Sequence, residues 1–194
     1  MSKVTFKGGA LLNPVPAVLI TSKKDDFVNV FTAAWVGTIC TKPPMVSVSI
    51  RPERLSYEMI KSTGQFTINL PSAKLVKVLD FCGVRSGRDV DKIKKFELTL
   101  EQGIEVDVPS IVECPVALEC RVKEILPLGS HHMFIAEVVQ VKVEERLVDS
   151  NGKIHFDKAG LVCYSHGEYF SLVDASLGKF GYSVQKKKNK GRIK

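Results

Sequence analysis

Val46, Val48 and Ile50 alternate with Ser47, Ser49 and Arg51, and Pro52 ends the run. A two-residue period sends the first set to one face of a strand and the second set to the other. The pattern returns in Phe66, Ile68 and Leu70 against Thr67 and Asn69. It returns again in Leu118, Cys120 and Val122 against Glu119, Arg121 and Lys123, and in Val139, Val141 and Val143 against Gln140 and Lys142. The last two sets predict long antiparallel neighbours joined near Pro127-Leu128-Gly129-Ser130. Long antiparallel strands punctuated by turns predict a closed barrel. Strands do not alternate with long helices, which argues against a doubly wound sheet.

The remaining segments fit around those strands. Pro14-Val15-Pro16 opens a run through Val18, Leu19 and Ile20. The polar stretch Ser22-Lys23-Lys24-Asp25-Asp26 predicts a turn, and with it a hairpin into Val28-Asn29-Val30-Phe31. Residues 35–41 form another β-rich run, stopped by Pro43-Pro44. Ser56 is placed to N-cap a helix over Tyr57-Glu58-Met59-Ile60-Lys61, which Gly64 closes. Ser72 is placed to cap a second helix carrying Leu75, Val76, Val78 and Leu79. A glycine-rich bend, Cys82-Gly83-Val84-Arg85-Ser86-Gly87, precedes a short polar helix over residues 89–96. Asp149-Ser150-Asn151-Gly152 is a strong turn signal. The fold class expected is mainly β with short helices.

A chain of 194 residues can bury a sizeable core in one domain. Its formal charge is +7, but six Lys/Arg and no acid lie in residues 186–194, so the rest of the chain is near neutral. The expectation is one domain over residues 1–183 and a basic tail over 184–194, with no nucleic-acid partner. No apolar stretch approaches the ~20 residues of a membrane helix. The N-terminus lacks a secretory signal, and the five cysteines include no C-x-x-C pair. Free thiols and a cytoplasmic location are expected, with no metal site. Neither G-x-G-x-x-G nor a phosphate loop ending in G-K-[ST] occurs, which removes the common nucleotide sites.

Three segments carry candidate chemistry. Ser47, Ser49 and Arg51 share one strand face, and Arg54 and Ser56 follow at a turn and helix start. A guanidinium fork, hydroxyls and a helix N-terminus suit a phosphate; an exposed polar face is the other reading. In Asn29-Val30-Phe31-Thr32-Ala33-Ala34-Trp35 the small residues let a flat ring lie against the backbone, or the segment is an edge strand with a packed tryptophan. In the bend, glycines allow close approach to a ligand and Lys92 can reach a phosphate, or this is only a loop before a charged helix. Cys82 is either redox-active or a buried inert thiol.

Together these segments resemble the FMN-binding flavin reductase family, its flavoredoxin-like branch most closely. The resemblance is carried by Asn13-Pro14-Val15-Pro16, by Asn29 through Thr38, and by Pro43-Pro44-Met45-Val46-Ser47-Val48-Ser49-Ile50-Arg51-Pro52. It continues in Phe66-x-Ile68-Asn69-Leu70-Pro71, Cys82-Gly83-x-x-Ser86-Gly87-Arg88-Asp89-x-Asp91-Lys92, Glu113-Cys114-Pro115, Gly129-Ser130-His131 and Gly178-Lys179-Phe180-Gly181-Tyr182-Ser183. It implies an antiparallel split β-barrel that binds FMN near the interface of a homodimer. It places Asn29, Thr32, Ala33 and Ala34 along the isoalloxazine and ribityl chain, and Ser47, Val48, Ser49, Arg51, Ser56 and Lys92 around the phosphate. Cys82, Gly83, Ser86 and Gly87 would lie over the cofactor, and His131 near the flavin or a nicotinamide donor. Ser130 replaces a common aspartate and His132 follows, so the histidine's register stays open. The late segment 160–183 is a candidate to cover the neighbouring subunit's flavin, and the sequence alone does not place it. The activity implied is an NAD(P)H-dependent flavin or ferric reductase; the alternative is a flavoredoxin-type carrier fed by a protein partner.

Overall fold

Val18, Leu19 and Ile20 are consecutive and all fully buried, because their strand is covered on both faces. The structure, a computed structural model, describes residues 1–172 and 176–184. The chain begins with β1 (Val15–Pro16), β2 (Val18–Lys24), β3 (Phe27–Ala33), β4 (Val36–Thr41) and β5 (Pro44–Ile50). Next come α1 (Leu55–Thr63), β6 (Gln65–Leu70), α2 (Val76–Val84) and α3 (Lys92–Lys95). Then β7 (Leu100–Glu101), β8 (Ser110–Ile111), β9 (Val116–Pro127) and β10 (His132–Val143) lead to β11 (Val162–Ser165) and β12 (Glu168–Ser171).

Seven strands pair antiparallel in the order β3-β2-β6-β9-β10-β5-β4. The sheet curls around one core to which β2, β3, β5, β6, β9 and β10 all contribute, and the Ser49 N–H, donating to the Trp35 carbonyl at 3.0 Å, extends the β4–β5 pair. Inside lie Val18, Ile20, Phe31, Val48, Ile50, Phe66, Ile68 and Phe134, with Tyr57 and Ile60 of α1 packed among them. Outside, α2 covers Ala17, Leu19 and Val30 with Val78, Leu79 and Cys82. Two β-bulges interrupt the β9–β10 ladder, after Ile135 and after Val138. They bend the long hairpin around the barrel, and Val141, expected on the inner face, is exposed.

Several local expectations are corrected. The first hairpin turn is Asp25-Asp26 alone, and β2 runs on through Ser22 and Lys24. Ser22 stays in the strand because its hydroxyl has a buried partner, Ser56 Oγ, at 2.7 Å. For the same reason Ser56 is not an N-cap: α1 is preceded by Arg54, and Ser56 lies in its first turn. Cys82 and Gly83 belong to the last turn of α2 rather than to a loop. The short polar helix is limited to α3, N-capped by the Asp91 carboxylate, which accepts from the Lys94 N–H at 3.0 Å.

Glu119, expected on a polar strand face, is wholly buried. Its carboxylate accepts the N–H groups of Ile104, Glu105 and Val106 at 2.9, 2.7 and 3.2 Å. Lys142 Nζ stands 3.7 Å away. Among the described residues no helix is long and apolar enough to cross a membrane, and no cluster of three or more metal-ligating side chains occurs. Beyond Val184 the expected basic tail lies outside the described residues.

Candidate functional site

Where β3 leaves the sheet, Thr32, Ala33, Ala34 and Trp35 form the floor of a cleft of about 270 Å³. Ser49, Arg51, Arg54, His131 and Tyr164 line the rest of it, with His131 close enough to Arg51 and Arg54 to feel their charges. Ala33 and Ala34 are small, so the floor is flat and open. A second hollow of about 310 Å³ continues past Thr32, Ala34 and Tyr164 to Asp80, Gly83, Gly167 and Tyr169. Thr32 is anchored by its hydroxyl, which donates to the Leu79 carbonyl. Gly83 faces Thr32, and a Cβ there would lie in ordinary contact, 3.4 Å from Thr32 Cβ. Tyr169 donates to the Asp80 carboxylate at 3.3 Å; burial, then the Asp80 charge, pushes its pKa up to about 12.

Behind the cationic residues lies a buried polar cradle. Asn29 Nδ2 donates to Ser56 Oγ at 2.9 Å, in the first turn of α1. Gly87 packs directly on the Asn29 amide; any Cβ at position 87 would overlap it and press on Leu55. Lys92, at the start of α3, which packs against β3, is only 3% exposed. Among the described residues its ammonium donates to one acceptor, the Arg85 carbonyl, at 3.1 Å. An ammonium carries three donors, so a buried cation here suits an anion entering beside the start of α1. Burial pushes the Lys92 pKa below its ordinary value; Cys82 opposes this and the Arg54 charge adds to it. Cys82 is itself fully buried, and burial raises its pKa to about 11 against the pull of Lys92. It is a protonated thiol at neutral pH, the environment of an inert rather than a reactive cysteine.

At the mouth the His131 ring stacks obliquely on Trp35, with centroids 4.4 Å apart. Burial, then Arg51, lowers the His131 pKa, with Arg54 adding and Glu53 opposing. Its Nδ1 lies 3.0 Å from Ser130 Oγ. His132 turns the other way, with Nδ1 2.7 Å from the Tyr57 hydroxyl. The register left open by the sequence therefore resolves with His131 on the cleft.

The structure thus divides the expected residues. Thr32, Ala33, Ala34, Ser49, Arg51 and His131 meet on the cleft, and Gly83 lines its extension. Ser47 lines a neighbouring hollow that shares Ala34, Trp35 and Ser49. Asn29, Ser56 and Gly87 gather in the cradle behind, and Lys92 is buried near Arg85, Cys82 and Arg54. The Val48 side chain points into the barrel core, leaving only its backbone toward the other face. Ser86 accepts from the Arg88 N–H at 3.1 Å and shapes the bend. Arg54, read from the sequence as part of the anion site, lines the cleft, as does Trp35 at the end of the second segment; Tyr164 was not among the expected site residues. Arg54 carries a visible signal, a cation at a helix start beside Arg51; Tyr164 comes from a distant strand and carries none.

A family described as the flavin reductase like domain matches residues 11–172. A protein from Archaeoglobus fulgidus is 34% identical over 145 residues, which are 75% of this chain and 81% of that protein. The flavoredoxin of Desulfovibrio vulgaris (Miyazaki F) superposes with a TM-score of 0.88 at 30% identity, covering 95% of this chain and 100% of its own. Flavoredoxin from Methanosarcina acetivorans gives 0.84 at 27% identity over the same shares.

Proposed function

The chain belongs to the flavin reductase-like domain family, and from that membership we propose that it binds FMN in this cleft and passes electrons through it as an NAD(P)H-dependent flavin or ferric reductase. The observation that carries the reading is the pair Arg51 and Arg54 on the cleft, with the buried Lys92 near enough for the Arg54 charge to act on its ammonium. Three cations with the hydroxyls of Ser49 and Ser56 match a phosphate dianion. Ala33 and Ala34 leave room for a planar ring along the floor, where Thr32 and the β3 backbone offer hydrogen bonds. Trp35 and Tyr164 wall the ring from water. Asn29 holds Ser56 in place, and Gly87 lets the bend close over both. His131 is neutral at neutral pH and offers one donor and one acceptor beside the ring. When bound, FMN supplies hydride and single-electron chemistry.

Removing the fork at Arg51 tests the phosphate end. Arg51→Ala should weaken FMN binding by about 1–3 kcal/mol, a loss of one charge-assisted contact. Fluorescence-quenching titration of the apoprotein reads this directly, and unchanged affinity would remove Arg51 from the site.

The second reading, a carrier fed by a protein partner, draws support from the likeness to two flavoredoxins. The two readings share a site and differ in donor. Anaerobic mixing of FMN-loaded protein with NADH or NADPH separates them. Rapid bleaching of the visible band supports the reductase; bleaching by dithionite alone supports the carrier.

We also propose a homodimer built on the outer face of β4, β5 and β10. Ile39 and Trp35 there are 49% and 48% exposed, and Met45, Met133 and Ile135 are partly buried on the same face. Light scattering should report twice the chain mass, and Ile135→Asp should shift it to one chain mass. A monomeric, FMN-loaded wild type would contradict the proposal.

A further inference from the structure

Glu53 is a carboxylate set among the cations of the cleft. Its Oε1 lies 2.6 Å from Arg51 Nε. Its carbonyl accepts from Arg88 Nη1 at 2.9 Å. The Arg54 N–H donates to the Arg51 carbonyl at 3.0 Å, a tight turn that keeps Glu53 beside Arg51. Arg51 and Glu53 are 52% and 60% exposed, so the pair stands where an entering anion arrives. The contact of Glu53 with its own backbone N–H, then the charge of Arg51, lowers its pKa, and it is ionised at neutral pH.

A carboxylate and a phosphate present the same kind of oxygen acceptor to one guanidinium fork. They also repel each other when they share it. We propose that Glu53 is a built-in competitor for the cofactor's phosphate, holding Arg51 in the free chain and releasing it when the dianion enters. The inference rests on FMN binding as proposed above, and it adds a residue that sets how tightly FMN is taken up. A purely structural Glu53, tying the turn to the bend, would have the opposite sign. Its loss would loosen the cleft and weaken binding.

The two signs are separated by titrating four apoproteins, wild type, Glu53→Gln, Arg51→Ala and the double variant, with FMN and with riboflavin. Glutamine keeps the backbone carbonyl that holds Arg88, so the link to the bend survives. Glu53→Gln should bind FMN about three- to tenfold tighter, the scale of an exposed ion pair plus relief of repulsion. Riboflavin, which lacks the phosphate, should show no gain. The gain should also vanish in the Arg51→Ala background, because the competition acts through that side chain. A Glu53→Gln protein that binds FMN no more tightly than wild type overturns the inference, as does an equal gain for riboflavin or in the absence of Arg51. A wild type that takes up no FMN removes the proposed function itself, and this inference with it.

Discussion

Lys92→Met is expected to lower FMN affinity by about 10- to 100-fold while leaving the apoprotein as stable as wild type, or more stable. The affinity loss follows from removing a charge-assisted bond to the phosphate in a water-poor setting, worth about 1.5–3 kcal/mol. The stability result follows from the state of Lys92 in the free chain. Lys92 is 3% exposed, and among the described residues its ammonium has one acceptor, the Arg85 carbonyl. Holding a charge there costs solvation that one hydrogen bond does not offset. Methionine keeps the apolar stem and fills the same space. The Arg85 carbonyl belongs to an exposed residue and can turn to water. Thermal melts of the apoprotein and FMN titration check the two halves together. A fall in both would make Lys92 a structural residue of the bend.

Glu119→Ala is expected to have the largest effect on folding. The substitution strands the N–H groups of Ile104, Glu105 and Val106, while Lys142 keeps its nearer partner Glu101 at 2.9 Å. Three backbone donors left without an acceptor cost about 1–3 kcal/mol each, less where water reaches them, or about 3–5 kcal/mol together. For a domain of this size that is a drop in Tm of roughly 10 °C. Glu119→Gln keeps an acceptor for part of the turn and should lose less. Neither change touches the cleft, so FMN affinity per folded molecule should stay within about twofold. Differential scanning calorimetry of the apoprotein measures the first effect. A Tm unchanged by the alanine variant would show that the 104–106 segment holds without the carboxylate.

The contrast between these residues explains what a reader of the sequence could and could not see. Val46, Val48 and Ile50 announced a strand by period, and all three face the barrel interior. The barrel follows from several such strands, because each needs an antiparallel neighbour and a common inside. Ser22, Asn29 and Ser56 were harder. Each looks like a turn, site or cap residue taken alone, yet they bury one another by hydrogen bonding across β2, β3 and α1. Polarity predicts exposure only when no partner waits inside. Glu119 misleads for the same reason, since its partners are backbone groups of a distant loop. The phosphate end of the site was legible where its parts lie close in sequence, as Ser49, Arg51 and Arg54 do. Tyr164 was not, because it reaches the cleft from a strand more than a hundred residues away.

The account stands on a phosphate-recognising cleft, and one comparison addresses that directly: titration of the apoprotein with FMN and riboflavin side by side. The expected result is saturable uptake of one FMN per chain at micromolar concentration or below, with riboflavin bound at least about tenfold more weakly. No uptake of FMN, or equal affinity for the two flavins, would contradict it.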